Sequence, residues 1–160
     1  MDTQRGFSLV EMMVSVALFS IVMLISTTAL LSLVDANRKA QALQSVMNNL
    51  NTAVDGMVRS LRMGTVYHCG LVGDRTQPLS CGNGDASIVF EAVDGAYGDV
   101  NDQWVYRYDS ATQRIYKSED NSSTSYSLTS PEVVVDLARF YVVGAEQGDN
   151  RQPKVVVVVK

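Results

Sequence analysis

The sequence predicts an α+β fold, in which a long N-terminal helix, first transmembrane and then amphipathic, packs on a small antiparallel β-sheet head. Three features support this prediction. An uncharged apolar run extends from Met12 to Val34, an amphipathic pattern follows it, and short β-forming segments alternate with polar turns after Gly64. With 160 residues, the chain suits one domain and is too short for two sizeable ones.

The apolar run is long enough to cross a lipid bilayer. Glu11 is the only charged residue from Phe7 to Val34, and a transmembrane helix needs about 20 apolar residues. A cleaved secretory signal has a shorter apolar stretch, about 7–15 residues, and then a small-residue cleavage site, which is missing here. A buried helix of a soluble protein would need a larger partner domain. We therefore expect a membrane-spanning segment, with the lipid bilayer as a partner.

Charge disfavours nucleic acid as a partner, because the chain carries a net charge of -4 and has no cluster of Lys and Arg. Charge does not decide orientation in the membrane. Arg5 precedes the apolar run, and Arg38 and Lys39 follow it, so the positive-inside rule gives no clear answer.

The residues at the start of the helix are the most informative. A short polar leader ends in Gly6, and the apolar segment begins at Phe7 with a carboxylate, Glu11, at its fifth position. A charge at bilayer depth is costly and usually marks a function or a pairing partner. Cleavage after Gly6 would give Phe7 a free α-amine, about 6 Å along the helix axis from Glu11, and the helix dipole also favours a carboxylate there. The other interpretation places Glu11 in the headgroup region without a partner.

This segment resembles the class III signal of type IV prepilins and type II secretion pseudopilins, with Gly6, Phe7, Glu11 and the following apolar helix all matching. The resemblance covers about the first fifth of the chain. It implies that prepilin peptidase cuts after Gly6 and N-methylates Phe7. It also implies that Glu11 is the assembly glutamate, which pairs with the terminal amine of an adjacent subunit. The implied partners are this peptidase, other pilin or pseudopilin subunits and an inner-membrane assembly platform.

The same resemblance implies a single-pass protein of the bacterial inner membrane, with a cytoplasmic leader and an extracytoplasmic head. The subunit would later join a pilus or pseudopilus in the periplasm or at the cell surface. Many relatives have a proline or glycine within the apolar helix, but this chain has neither between Phe7 and Asp55, so local melting of the helix is not expected. The predicted divisions are a leader at 1–6, a transmembrane and assembly helix at 7–34, an amphipathic continuation at 35–63 and a β-rich head at 64–160.

Beyond the membrane the helix is predicted to continue to Met63, with Gly64 as its stop. Apolar residues recur there at spacings of three or four. They are Leu43, Val46, Leu50, Val54, Met57 and Leu61. The alternative is two helices with a break near Asp35.

The head is predicted to contain strands and polar loops. The strand candidates are Ser87–Ala92, a hairpin of Gln103–Tyr108 with Arg114–Lys117, Val133–Val143 with Arg139 and Tyr141 facing outward, and Lys154–Lys160. Loops are predicted at Thr65–Gly84, Asp94–Asp102 and Ser118–Ser125. In an exported domain Cys69 and Cys81 predict one disulfide that pins the first loop, and free thiols are the alternative.

The five consecutive valines, 155–159, predict a central strand buried on both faces. We expect either that the sequence continues beyond this strand or that a partner covers its edge. The order of the hairpin, the 137–143 strand and the valine strand also bears a weaker resemblance to J-type minor pseudopilins.

We expect no catalytic activity. His68 beside Cys69 is the one candidate nucleophile pair, but a disulfide removes the thiol and adjacent residues rarely have the required geometry. Zinc would need more ligands than a single histidine and two cysteines. No cofactor is expected, although an acidic loop could hold calcium, as some pseudopilin heads do; a solvated loop is favoured. Its oxygen donors would be Asp94, Asp99, Asn101 and Asp102. The aromatic residues Trp104, Tyr106, Tyr108 and Tyr116 are predicted to pack the sheet.

Two functions remain. The first is a structural subunit, of the minor kind, of a type IV pilus or type II secretion pseudopilus. The second is a membrane-tethered binding module whose head captures DNA or a secreted substrate.

Overall fold

The computed structural model describes residues 6–148 and 151–160, so most of the predicted leader lies outside the described residues. The chain divides into two compact units, Met1–Ser45 and Val46–Lys160, which we describe separately. One helix and eight strands make up the secondary structure of the described residues, which confirms the predicted α+β class. The predicted domain boundaries remain a prediction.

The helix α1 spans Leu9–Met63. No proline occurs in this segment, and its single glycine, Gly56, is accommodated within the helix. The residues around Asp35 are helical, so the alternative with a break at that point is wrong. In the second unit α1 buries Met57 and Leu61, as the amphipathic pattern predicted, and also Ala53, which that pattern did not include; Leu43, in the first unit, is exposed.

The helix ends at Met63, as predicted, because Gly64 and Tyr67 act together. A Cβ at position 64 would overlap the Phe90 ring and would lie 3.1 Å from the Glu91 carbonyl oxygen, so only glycine fits. The Tyr67 hydroxyl lies 2.6 Å from the carbonyl oxygens of both Leu61 and Gly64. It thereby satisfies acceptors that the end of the helix leaves without intrahelical donors.

The strands form two antiparallel sheets. The first has the order β1-β3-β4-β5-β6 and the second the order β2-β7-β8. Their bounds are β1 Thr65–Cys69, β2 Cys81–Asp85, β3 Ser87–Glu91, β4 Trp104–Asp109, β5 Arg114–Ser118, β6 Tyr126–Ser127, β7 Ala138–Val143 and β8 Lys154–Val159. The predicted hairpin is confirmed as β4 and β5, with Tyr106 opposite Lys117. Every residue of β3 is buried, as expected for a strand with neighbours on both sides.

One apolar core joins both sheets to the C-terminal part of α1. Its fully buried members include Met57 from the helix, Phe90 and Tyr106 from the first sheet and Phe140 from the second. The Phe90 ring stacks on Tyr106 at 5.7 Å between centroids and meets the edge of Trp104 at 6.1 Å. The predicted packing role of these β4 aromatics is therefore confirmed.

Three strand predictions were wrong. The predicted loop Thr65–Gly84 contains β1, which pairs with β3, and most of β2, a weak strand former that gains its order from pairing with β7. The predicted strand Val133–Val143 begins only at Ala138. Val133 and Val135 are buried, but they lie in irregular backbone.

The valine strand is the third correction. It is β8, at the edge of the second sheet, and not a central strand. Its residues alternate between exposed and half-buried, so only one face contacts the core. A run of valines gives no periodic signal, and the number of buried faces therefore could not be read from it. On β7 the outward positions of Arg139 and Tyr141 are confirmed.

Candidate processing and assembly segment

Gly6 and Phe7 lie just outside the helix. Residues 6–8 have no regular secondary structure, and α1 begins at Leu9. The Phe7 side chain is 80% exposed, and a Cβ on Gly6 would meet nothing within 4 Å. The Gly6–Phe7 peptide bond is therefore in non-helical, uncovered backbone, which is the state in which a peptidase can bind a chain.

Ser8 caps the helix. Its carbonyl oxygen accepts the first helical hydrogen bond, from the Met12 N–H at 3.2 Å, and its Oγ accepts from the Glu11 N–H at 3.4 Å. These are the contacts of an N-cap residue with the third residue of its helix. The prediction from sequence overlooked Ser8, although Ser-x-x-Glu before an apolar run is a known helix-start signal.

Glu11 occupies the first turn of α1 and is exposed. Its backbone N–H is bound to Ser8, and its carbonyl oxygen accepts from the Ser15 hydroxyl at 2.7 Å. Among the described residues its carboxylate has no hydrogen-bond or ion-pair partner. The helix dipole favours a negative charge at this end, so Glu11 suits its place in the helix while its carboxylate stays available to another group.

The helix surface after Glu11 is suited to lipid. Large apolar side chains from Met12 to Leu33 are at least half exposed, and the most apolar window of α1 has a mean hydropathy of 2.3 with none of it buried. Several hydroxyl groups on this surface donate to carbonyl oxygens one turn earlier, among them Ser20 to Val16 and Thr27 to Met23, both at 2.8 Å. These polar groups therefore need no water, as a membrane segment requires.

In the head, Cys69 and Cys81 form a disulfide, with their Cα atoms 5.9 Å apart. The bond joins β1 of the first sheet to β2 of the second. Buried His68 lies with Nδ1 2.8 Å from the Gln77 carbonyl oxygen and Nε2 3.0 Å from that of Val72. Both ring nitrogens and the Cys69 sulfur are thus engaged, and they form no Cys/His nucleophile pair.

The acidic loop 94–102 does not gather the four predicted calcium ligands at one point. Asp99 Oδ1 accepts from the backbone and side-chain nitrogens of Asn101, at 2.9 and 2.8 Å. Asp102 Oδ2 accepts from the Ala96 N–H at 2.7 Å. No group of three His, Cys, Asp or Glu side chains suited to a metal ion occurs in the described part of the chain.

Comparison with known proteins identifies the N-terminal segment. Residues 1–27 match the family model described as the prokaryotic N-terminal methylation motif. No curated protein and no solved structure matches the chain significantly. The matched residues include Gly6, Phe7, the Ser8 cap and Glu11, together with the start of the exposed apolar helix. The chain therefore carries, over residues 1–27, the prokaryotic N-terminal methylation motif, which is the class III signal of type IV pilins and pseudopilins.

Proposed function

We propose that this protein is a minor structural subunit of a type IV pilus or type II secretion pseudopilus. Prepilin peptidase cuts it after Gly6 and methylates Phe7, and the subunit is then assembled through its N-terminal helix. One observation carries the proposal. Within six residues the chain places an uncovered Gly6–Phe7 bond, a helix cap and the carboxylate of Glu11 at the start of a lipid-suited helix.

The cut would create the partner that Glu11 needs. Cleavage after Gly6 leaves a positive α-amine on Phe7, four residues before Glu11. In a low-dielectric membrane an unpaired carboxylate is costly, and an amine from an adjacent subunit would offset that cost. Each new subunit would thus bring an amine and a carboxylate, and pairing between neighbours would set their axial register. The inner-membrane assembly platform would act on this paired state.

The topology follows from the processing. The peptidase faces the cytoplasm, so the leader would be cytoplasmic and the head extracytoplasmic, on the oxidising side of the membrane. The disulfide between Cys69 and Cys81 agrees with this orientation, because such bonds persist in oxidising compartments.

The substitution Glu11→Ala tests the assembly role, with Glu11→Gln as a variant of the same size without charge. We expect both variants to insert into the membrane and to be cleaved normally. Their incorporation into filaments should fall about tenfold or more, since breaking a buried charge pair costs several kcal/mol. Glu132→Gln, at an exposed position in the head, is the matched control. Filaments are sheared from the cells, and the subunit is quantified by immunoblot against the membrane fraction.

Undiminished incorporation of both Glu11 variants would contradict the assembly role. A membrane-tethered binding module, whose head captures DNA or a secreted substrate, would then be the better description. In that case the head should retain its ligand when residues 7–34 alone are replaced by an unrelated transmembrane helix.

A further inference from the structure

The strand β8 forms an open edge of the second sheet. It pairs with β7 in one uninterrupted register, and no strand of the described residues lies on its other side. Natural proteins usually protect an edge strand with a bulge, a proline or a covering segment. The edge strand β1 is covered in this way, because Leu79 exchanges backbone hydrogen bonds with Tyr67 and Cys69 on its free side. The strand β8 contains neither a proline nor a bulge.

The register shows which backbone groups of β8 are free. Lys160 and Leu137 each donate a backbone N–H to the carbonyl oxygen of the other, at 2.8 and 3.2 Å. In an antiparallel pair, residues that bond to the partner strand alternate with residues whose N–H and C=O point away from it. Counting back from Lys160, the residues that point away from β7 are Val155, Val157 and Val159. No other segment of the described chain bonds to their backbone groups.

The valine side chains divide between the two faces of the strand. Val155, Val157 and Val159 are half-buried and pack against the core, whereas Val156 and Val158 are 39% and 41% exposed on the other face. The three residues with free backbone groups are thus the ones whose side chains the core covers only in part. A strand added beside them would bond to the free backbone groups and cover more of this apolar surface.

A groove with a volume of about 400 Å³ lies next to the first of these valines. Val155 lines it together with Val58 and Leu61 of α1 and Tyr67 of β1, and all four belong to the second unit. Alternate residues of an added strand would face the core, so one of them would lie beside Val155, next to this groove. The groove therefore favours an apolar side chain at that position.

The charges at the two ends of β8 decide between a second copy of this protein and a different chain. Lys154 and Lys160 are exposed, and neither has an ion-pair partner among the described residues. If two copies paired edge to edge about a two-fold axis at Val157, each Lys154 would lie opposite the Lys160 of the other copy. Like charges directly opposite one another destabilise paired strands. Carboxylates at those positions would instead pair with both lysines.

We propose that the free edge of β8 binds an extended segment of another protein chain by β-strand addition. The segment is apolar at alternate positions, which face the core beside Val155, Val157 and Val159, and it carries Asp or Glu at both ends, opposite Lys154 and Lys160. In this mode backbone hydrogen bonds give affinity and alternate side chains give specificity. Because a lysine lies at each end of the edge, the same pattern suits either strand direction. The inference does not depend on N-terminal processing, so the two can fail separately.

The test uses full-length protein in detergent and a peptide of sequence Glu-Val-Thr-Val-Thr-Val-Glu with both termini blocked. Hydrogen exchange resolved to single residues reports the contact. In the free protein the N–H groups of Val155, Val157 and Val159 should exchange fast, whereas those of Val156 and Val158 should exchange slowly because they bond to β7. With peptide at about ten times its dissociation constant, exchange of the three edge N–H groups should slow about tenfold.

A proline substitution separates strand addition from unspecific apolar binding. Val157→Pro removes an N–H that points away from β7, which is a place where an edge strand tolerates proline. It should weaken binding of the peptide about fivefold or more, because a backbone hydrogen bond is lost. Val157→Ala is the matched control, since it also shortens the side chain but keeps the N–H, and it should bind the peptide more tightly than Val157→Pro does.

Inversion of charge gives a second test that leaves the backbone unchanged. Lys154→Glu combined with Lys160→Glu should weaken binding of the peptide about fivefold or more and should favour a peptide with Lys at both ends. Fluorescence anisotropy of labelled peptides at low salt measures these affinities. No binding at millimolar peptide, or equal binding of both peptides by the wild type, would overturn the proposal. So would edge N–H groups that are already protected in the free protein, or protected only in a dimer of it, because the edge would then be occupied otherwise.

Discussion

Asp120 is the carboxyl group whose protonation the fold resists most clearly. Its Oδ1 accepts from the Ser118 hydroxyl and from the Thr124 N–H, both at 2.7 Å, and these bonds lower its pKa from 3.8 to about 2. Because this pKa is lower in the folded than in the unfolded state, ionised Asp120 stabilises the fold above about pH 4, and that contribution is lost as the pH falls toward 2.

The substitution Asp120→Asn should therefore make the free energy of unfolding less dependent on pH in this acidic range. Urea unfolding of the full-length protein in detergent, at a series of pH values, measures this dependence. Glu132→Gln should leave the loss of stability at low pH unchanged. An equally steep loss of stability in Asp120→Asn would show that other carboxyl groups control acid unfolding.

Val66 carries backbone strain. Its φ is +49°, a left-handed conformation that is uncommon for any side chain and especially costly for a β-branched one. It lies where the register between β1 and β3 shifts, just after the end of α1. We expect Val66→Gly to stabilise the protein by about 1 kcal/mol, because glycine adopts this φ without strain. Val134→Gly, at an exposed position with ordinary φ, should not stabilise the protein. A loss of stability in Val66→Gly would contradict the interpretation that Val66 is strained.

At the scale of the helix, Gly56 within α1 and Gly64 at its C-terminal end should respond in opposite ways to substitution by alanine. A Cβ at Gly64 meets the Phe90 ring, so Gly64→Ala should destabilise by about 1–3 kcal/mol. A Cβ at Gly56 meets nothing within 4 Å, and alanine is the better helix former, so Gly56→Ala should stabilise by about 0.5–1 kcal/mol. Denaturant unfolding of both variants under one condition measures the difference, and changes of the same sign would contradict the assignment.

The disulfide is the covalent link between the two sheets. Cys69 ends β1 and Cys81 begins β2, and the 12-residue separation makes the closed loop short. Its removal by Cys69→Ser with Cys81→Ser should cost about 3 kcal/mol in the chain-entropy estimate. Thermal unfolding with and without reductant measures this cost. The double variant should not respond to reductant, and a wild-type protein that responds equally little would show that the bond contributes no stability.

The elements differ in how far the sequence could predict them. The helix could be predicted because its apolar patterns are long, and β4 and β5 could be predicted because alternating aromatic residues flank a short turn. Strand β2 could not be predicted, since Cys81–Asp85 includes two glycines and gains its order from pairing with β7. Stability that comes from a distant neighbour leaves little trace in local sequence.

The candidate site follows the same rule at the scale of the whole molecule. The processing segment is contiguous, so Gly6, Phe7 and Glu11 could be recognised together from sequence. The buried contact of Gln103 with Glu91 could not be predicted in this way, because only the pairing of β3 with β4 brings these two residues together.

Processing is the prediction that concerns the whole molecule, because it determines which chain enters a filament. In cells that contain prepilin peptidase, intact-mass spectrometry should find a chain that begins at Phe7 and carries one added methyl group. The same gene in cells without the peptidase should yield the uncut precursor, as should Gly6→Leu in cells with it. The Gly6–Phe7 bond is already exposed, and Ser8 caps the helix that follows it. Cleavage should therefore need no unfolding of α1. An intact Met1 in peptidase-containing cells would contradict processing, and with it the paired amine that gives Glu11 its role in assembly.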